Sequence, residues 1–235
     1  MFFVNDRPTP ILNTPDFSKV YGESLPFDRQ LLVRAVEMIA LPKMVFHLVE
    51  QKSETIIEVT TGRYFSSASL YIDSRFGTFY REVVRTSPFL PSPEVIIERM
   101  RSSLALPYVW GGNYGKGISE WKRFYPPRRK LSPFEETHWT FRGLDCSGLL
   151  YEATNGYTPR NTGEMMTYGK EVATTEDIKP LDLILYSGHL VIAIGNDETI
   201  ESRHSSGGVE IRPLAERLSE IRGPYALRRF HPAVC

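Results

Sequence analysis

Gly143-Leu144-Asp145-Cys146-Ser147-Gly148-Leu149-Leu150-Tyr151 sets one cysteine between an aspartate and a serine, where a loop turns into a helix. Asp145 suits the N-cap, Leu149, Leu150 and Ala153 follow at helical spacing, and Asn155-Gly156 supplies the stop. Cys146 then falls in the first turn, where backbone N–H groups point outward and the helix dipole favours an anion. A thiolate is such an anion. The stretch therefore predicts a thiol of lowered pKa and a nucleophile at Cys146.

A nucleophilic cysteine needs a base within reach and a third group that orients the base. The five histidines are His47, His138, His189, His204 and His231. His189 opens the apolar run Leu190 to Ile194 directly after the turn Ser187-Gly188. That position sets its ring at a sheet edge while the residues behind it fill the core. Thr199–Arg203 is the returning strand of the same hairpin and brings Glu201 within cross-strand distance. A carboxylate there accepts a hydrogen bond from the imidazole. His204, in a Ser/Gly-rich loop, is the rival orienter.

Composition narrows the class. In 235 residues, 28 Lys and Arg balance 28 Asp and Glu, which argues against bulk binding of nucleic acid or anionic membrane. No run approaches the ~18 apolar residues of a membrane span. The N-terminus lacks a basic region followed by a long apolar stretch, so the expected location is cytoplasmic. The only cysteines are Cys146 and Cys235, too few for a disulfide framework. No cluster has zinc-ligand spacing, so neither a metal nor a cofactor is expected.

Residues 1–30 are rich in Pro, Asn and Asp and read as an extended arm with turns. Met44–Val49, Thr55–Thr60, Leu70–Asp73 and Thr78–Val84 read as short strands with turns between them, the pattern of a small β-barrel or sandwich. Ser87-Pro88-Phe89-Leu90-Pro91-Ser92-Pro93 is a stiff linker, and a helix with the apolar face Ile96, Ile97, Met100 and Leu104 starts from Ser92 and Pro93. The expected division is a β domain with its arm over 1–86, a linker over 87–92 and a catalytic domain over 93–235. Asn113 to Arg142, with its aromatic residues and its basic cluster Arg128-Arg129-Lys130, is long enough to form a lid over Cys146.

Five motifs in order carry a resemblance: Pro107-Tyr108-Val109-Trp110-Gly111-Gly112, Leu144-Asp145-Cys146-Ser147-Gly148-Leu149, Pro159-Arg160-Asn161-Thr162, Lys179-Pro180-Leu181-Asp182-Leu183 and His189-Leu190-Val191-Ile192-Ala193-Ile194-Gly195. The chain resembles the NlpC-type cell-wall cysteine peptidases, a papain-like family, over roughly residues 93–212. The resemblance implies an α+β fold with a cysteine at a helix N-terminus packed on an antiparallel sheet, preceded by an SH3-like β-barrel. It implies cleavage of peptidoglycan stem peptides at the bond between γ-D-glutamate and a diamino acid such as diaminopimelate, in peptides with a free N-terminal L-Ala. Cys146 and His189 are then catalytic. Asp145 and Ser147 bind the substrate's α-amine, and Tyr108 stands by the nucleophile and helps an oxyanion hole with the backbone N–H of Cys146. With a cytoplasmic location, the substrate expected is recycled murein peptide. The third catalytic position is commonly histidine in the family, and here the register lands on Glu201. Two other readings stay open: a papain-like acyltransferase or amidase using the same Cys–His pair, and a non-catalytic binder of wall fragments.

Overall fold

The computed structural model describes residues 1–83 and 87–234 and divides into two compact units. Val84, the last residue of the expected strand from Thr78, lies outside the described residues, as do Thr86 at the expected domain edge and Cys235. The first unit is Met1–Ser87 with Val109–Gly143, and the second is Pro88–Tyr108 with Leu144–Cys235. This differs from a single break at 87–92: the chain leaves the first unit, returns to it, and leaves again just before Cys146.

In the first unit, β1 (Phe2–Asn5), β2 (Thr9–Leu12), β3 (Val36–Ala40), β4 (Val45–Gln51), β5 (Ile56–Thr60), β6 (Leu70–Asp73) and β7 (Gly77–Tyr80) form one sheet. Its order is β3-β2-β6-β5-β4-β1-β7 and its pairs are antiparallel. The expected N-terminal arm is corrected here. Phe2–Asn5 and Thr9–Leu12 are ladder strands, and the apolar residues Phe3, Ile11 and Leu12 are fully buried. The proline that suggested an arm, Pro10, lies within β2. The segment Asn113 to Arg142 is also accounted for in this unit. Its Trp121, Trp139 and Phe141 are fully buried against Phe17 and Tyr21, with the rings of Tyr21 and Trp121 edge to face at 5.2 Å. Rings of this size dominate core energetics, and burying them here is the reason the segment folds with the N-terminal strands.

In the second unit, helices pack on both faces of a sheet. α1 (Pro93–Ser102) and α2 (Cys146–Ala153) are followed by β8 (Lys170–Glu171), β9 (Leu183–Tyr186), β10 (His189–Gly195), β11 (Glu198–Arg203), β12 (Gly208–Pro213), α3 (Leu214–Glu220) and β13 (Ala226–Arg229). The sheet order is β8-β13-β9-β10-β11-β12, antiparallel throughout. Alternation along the strands sorts the residues between two layers. Leu183, Leu185, Leu190, Ile192, Ile194, Ile200 and Val209 pack under α1 and α2. Ile184, Val191 and Leu227 pack with Leu214, Leu218 and Ile221 from α3 and the residue after it. By the same parity His189 and Glu201 belong to the α3 face of the sheet.

Candidate active site

α2 begins as its sequence predicts. Asp145 is the N-cap and its Oδ1 accepts from the backbone N–H of Gly148 at 2.7 Å. The helix ends into Asn155 and Gly156, both in the left-handed region at φ 54° and 74°. Cys146 is the first helical residue and is buried. The approach to it is pinned from two sides. Leu144 donates its N–H to the carbonyl of Pro107 at 3.0 Å, and its own carbonyl accepts from Ser202 Oγ at 2.7 Å. Ser202 and Leu144 are both fully buried. Ser202→Ala leaves the Leu144 carbonyl without this donor and is expected to cost about 1–2 kcal/mol, read as a lower urea midpoint at unchanged m-value.

The sulphur lies against the backbone on either side of His189. Sγ is 4.0 Å from the carbonyl oxygen of Gly188, and the backbone N–H of Leu190 favours its charged form. Gly188 closes the tight turn between β9 and β10 at φ 75°, a conformation that only glycine takes at little cost. His189 Nε2 is 2.6 Å from Glu201 Oε2. Glu201 thus engages the Nε2 side of the ring. Glu201 is almost wholly buried. Burial opposes its charge, but hydrogen bonds from His189 and Arg217 outweigh burial and hold the carboxyl below its usual range. The rival orienter His204 is exposed and packs edge to face on Tyr108 at 5.4 Å. Contact with His189 is made by Glu201.

The expectation of a lowered thiol pKa is overturned. Burial pushes the Cys146 thiol up to about 12, and the neighbouring Asp145 charge adds to this. Arg160 and the backbone N–H groups of Leu190 and Ser147 pull the other way without prevailing. A helix N-terminus favours a thiolate, but here desolvation is the larger effect. Burial thus favours the neutral thiol over the thiolate at this position.

Tyr108 is half-buried at the edge of this site. Its backbone bridges Leu144 in parallel, and its N–H donates to the Gly207 carbonyl at 2.9 Å. The adjoining Gly208 is obligatory for that approach, since a Cβ there would stand 2.0 Å from the Leu106 carbonyl oxygen. Asp145 and Ser147 are more occupied than the sequence suggested. Arg160 donates to Asp145 Oδ1 at 3.0 Å, to Asp145 Oδ2 at 2.5 Å and to Ser147 Oγ at 2.8 Å, with all three residues buried.

Three residues of the site escaped the sequence reading. Arg160 stands inside a quoted motif, but nothing local ties it to Asp145. Tyr186 reads as strand core. Arg217 did leave a signal. Leu214, Arg217, Leu218 and Ile221 follow the spacing i, i+3, i+4, i+7, so a cation sits on the apolar stripe of α3. A charge in that place calls for a buried anion, which is Glu201.

A cysteine at the start of a helix, packed on an antiparallel sheet whose strands present a histidine and a carboxylate, defines a papain-like cysteine-peptidase fold. Residues 105–222, half of the chain, match the NlpC/P60 family model, and the chain belongs to the NlpC/P60 family. It is 30% identical over 128 residues to peptidoglycan endopeptidase RipB of Mycobacterium tuberculosis, covering 52% of this chain and 47% of that protein. It is 28% identical over 159 residues to the gamma-D-glutamyl-L-lysine dipeptidyl-peptidase of Bacillus subtilis, covering 60% of this chain and 45% of that protein. The chain thus spans about half the length of the relatives it matches. Among solved structures, an NlpC/P60 family protein from Bacillus cereus aligns over 98% of this chain and 63% of its own at 21% identity, with a TM-score of 0.43.

Proposed function

We propose that the chain is a cysteine peptidase of peptidoglycan stem peptides that cuts the bond between γ-D-glutamate and a diamino acid, in peptides with a free N-terminal L-Ala. The observation that carries this reading is the juxtaposition of the Cys146 sulphur with the backbone flanking His189, whose ring is held by Glu201. The names of the RipB and Bacillus subtilis relatives support the substrate class. We include in the reading an SH3-like character for the first unit, which its short antiparallel strands suit.

In the proposed cycle, His189 Nδ1 takes the thiol proton as Sγ attacks the γ-glutamyl carbonyl carbon. The backbone N–H of Cys146 and the hydroxyl of Tyr108 hold the oxyanion. The C–N bond breaks, the imidazolium gives its proton to the leaving amine, and a thioester remains. Water then gives a proton to His189 and attacks the thioester, which releases the carboxylate product and restores the thiol. Glu201 accepts from Nε2 throughout and stabilises the transient imidazolium. The amine contact assigned to Asp145 and Ser147 uses oxygen lone pairs beyond those that Arg160 occupies.

The test is incubation with L-Ala-γ-D-Glu-diaminopimelate and with its N-acetylated form, with products identified by mass spectrometry. The expected result is free diaminopimelate from the first peptide and at least a roughly tenfold lower rate with the second, the effect of masking a charged recognition group. No cleavage of either peptide overturns the reading. Amide adducts formed on addition of a primary amine would move it to acyl transfer.

A further inference from the structure

Arg217, on the apolar stripe of α3, is 2% exposed. Arg217 Nε donates to Glu201 Oε1, and Nη2 donates to Glu201 Oε2 at 3.1 Å. The same Nη2 donates to the Tyr186 hydroxyl, and the guanidinium lies 5.5 Å from the centre of the Tyr186 ring. Tyr186 is in turn the cross-strand partner of His189, with ring centres 5.4 Å apart. Glu201 Oε2 is therefore shared between the imidazole and the guanidinium. Wherever Arg217 sets the carboxylate, the imidazole must follow.

We propose that Arg217 is a positioning residue of the thiol site: by gripping both oxygens of Glu201 it keeps that buried carboxylate charged and turned toward His189. The proposal rests on the reading of Cys146 and His189 as nucleophile and base. The physical need is clear from burial. A carboxylate with almost no solvent has only fixed donors to stabilise its charge, and a bidentate guanidinium is the donor whose geometry also fixes its orientation. A histidine at this position would need no such support, because a neutral imidazole carries no buried charge. The choice of glutamate at 201 and the arginine on the apolar face of α3 thus form one device.

The other ionisable groups around the pair are accounted for. Glu210, opposite Glu201 on β12, pairs with Arg203 of β11 at 3.0 Å. Glu220 of α3 lies 3.6 Å from Arg217 Nη1 and is also bound by Arg212 and Arg203. Tyr186 faces the pair from β9, and the Cys146 sulphur of α2 lies 4.0 Å from the carbonyl of Gly188, the residue before His189. Arg217 is the cation in direct contact with Glu201, so its removal lets Glu201 take up a proton at higher pH. The protonated acid no longer accepts from the imidazole, and the site loses its base-orienting group on the acidic side.

The experiment is the pH dependence of Cys146 alkylation by iodoacetamide, resolved from Cys235 by peptide mass spectrometry, in the full chain. It needs no peptide substrate. Failure of peptide hydrolysis would therefore overturn the substrate reading and leave this test standing. R217M is expected to slow alkylation near pH 6 by roughly tenfold and to move the acidic limb up by about one pH unit. R217K, which keeps the charge without the two-point grip, is expected to restore the limb but only part of the rate. In an E201Q background, R217M is expected to change the rate by less than about twofold, because its route of action is gone. An unchanged limb and rate in R217M, or an equal loss in both backgrounds, overturns the proposal. Should R217M fail to fold, R217K and E201Q/R217K supply the cycle on the rate alone: an R217K rate equal to wild type, or an equal loss in both backgrounds, overturns the proposal.

Discussion

Cys146→Ala is expected to remove peptide hydrolysis, with kcat reduced by about 10⁴-fold or more. Loss of a nucleophile that acts with its base as one unit leaves only binding and oxyanion stabilisation. The fold should survive. The side chain is one small buried group at the first helical position, and truncating it to Ala is worth about 1 kcal/mol. A second signature separates this variant from an unspecific loss. Burial raises the thiol from its ordinary value of 9.0 up to about 12 in the folded chain. As pH rises the unfolded chain therefore gives up this proton first. The contribution to stability is complete below pH 9 and drains away as pH climbs toward 12. Between those limits the wild type should lose about 1.4 kcal/mol per pH unit from this group, and Cys146→Ala should not. Urea midpoints at pH 8 and pH 10 measure the difference. Residual hydrolysis above a few per cent of wild type, or parallel alkaline limbs in the two proteins, would contradict the assignment of Cys146 as the buried nucleophile.

The site was legible where a residue type and its local pattern agree. Asp145, Cys146 and the apolar residues after them specify a capped helix from the sequence alone, and Cys146–Ala153 is that helix. The apolar run that His189 opens is a strand over His189–Gly195. Glu201 followed from hairpin parity, which needs only the turn and the alternation. What stayed hidden depends on long-range placement. Arg160 is 15 residues from Asp145 and Arg217 is 16 from Glu201, and each pair meets through elements whose packing no local pattern fixes. The upward push on the thiol depends on the same kind of placement. The helix start is a local feature, but the desolvation that overrides it comes from the sheet packed against α2.

The first unit shows the same limit on a larger scale. Short strands with turns were visible, and Leu70–Asp73 is placed without error. Residues 1–30 read as an arm because Pro, Asn and Asp mask two four-residue strands that owe their stability to the sheet around them. Asn113 to Arg142 read as a lid because of its length. The burial of its aromatic residues with Phe17 and Tyr21 is a tertiary fact. A segment rich in Trp, Tyr and Phe is better read as core in search of a partner than as a loop.

Arg160→Met is expected to destabilise the second unit by about 3–5 kcal/mol, a large share of the total stability of an ordinary domain. The side chains of Arg160 and Asp145 are 3% and 10% exposed, so water cannot replace the lost partner. Asp145 keeps its cap bond to Gly148 and a 3.3 Å bond from the Ser147 hydroxyl, yet two neutral donors do not balance a buried charge. The strain falls on the residue that sets the entry to α2, and through it on the position of Cys146. Hydrolysis should therefore fall along with the denaturation midpoint. The neutral pair Asp145→Asn with Arg160→Met supplies the control. Asparagine caps a helix about as well as aspartate and leaves no charge to neutralise, so the double variant should recover at least half of the lost stability. Chemical denaturation of the wild type, the single variant and the double variant measures each quantity. If Arg160→Met lies within about 1 kcal/mol of wild type, Asp145 finds adequate solvation without its arginine, and the carboxylate is more open to an incoming amine than its burial suggests. If the single variant is weakened and the double is rescued, Arg160 is what holds Asp145 in a dry position next to the nucleophile. The proposed amine contact of Asp145 would then draw on the oxygen lone pairs that this ion pair leaves over.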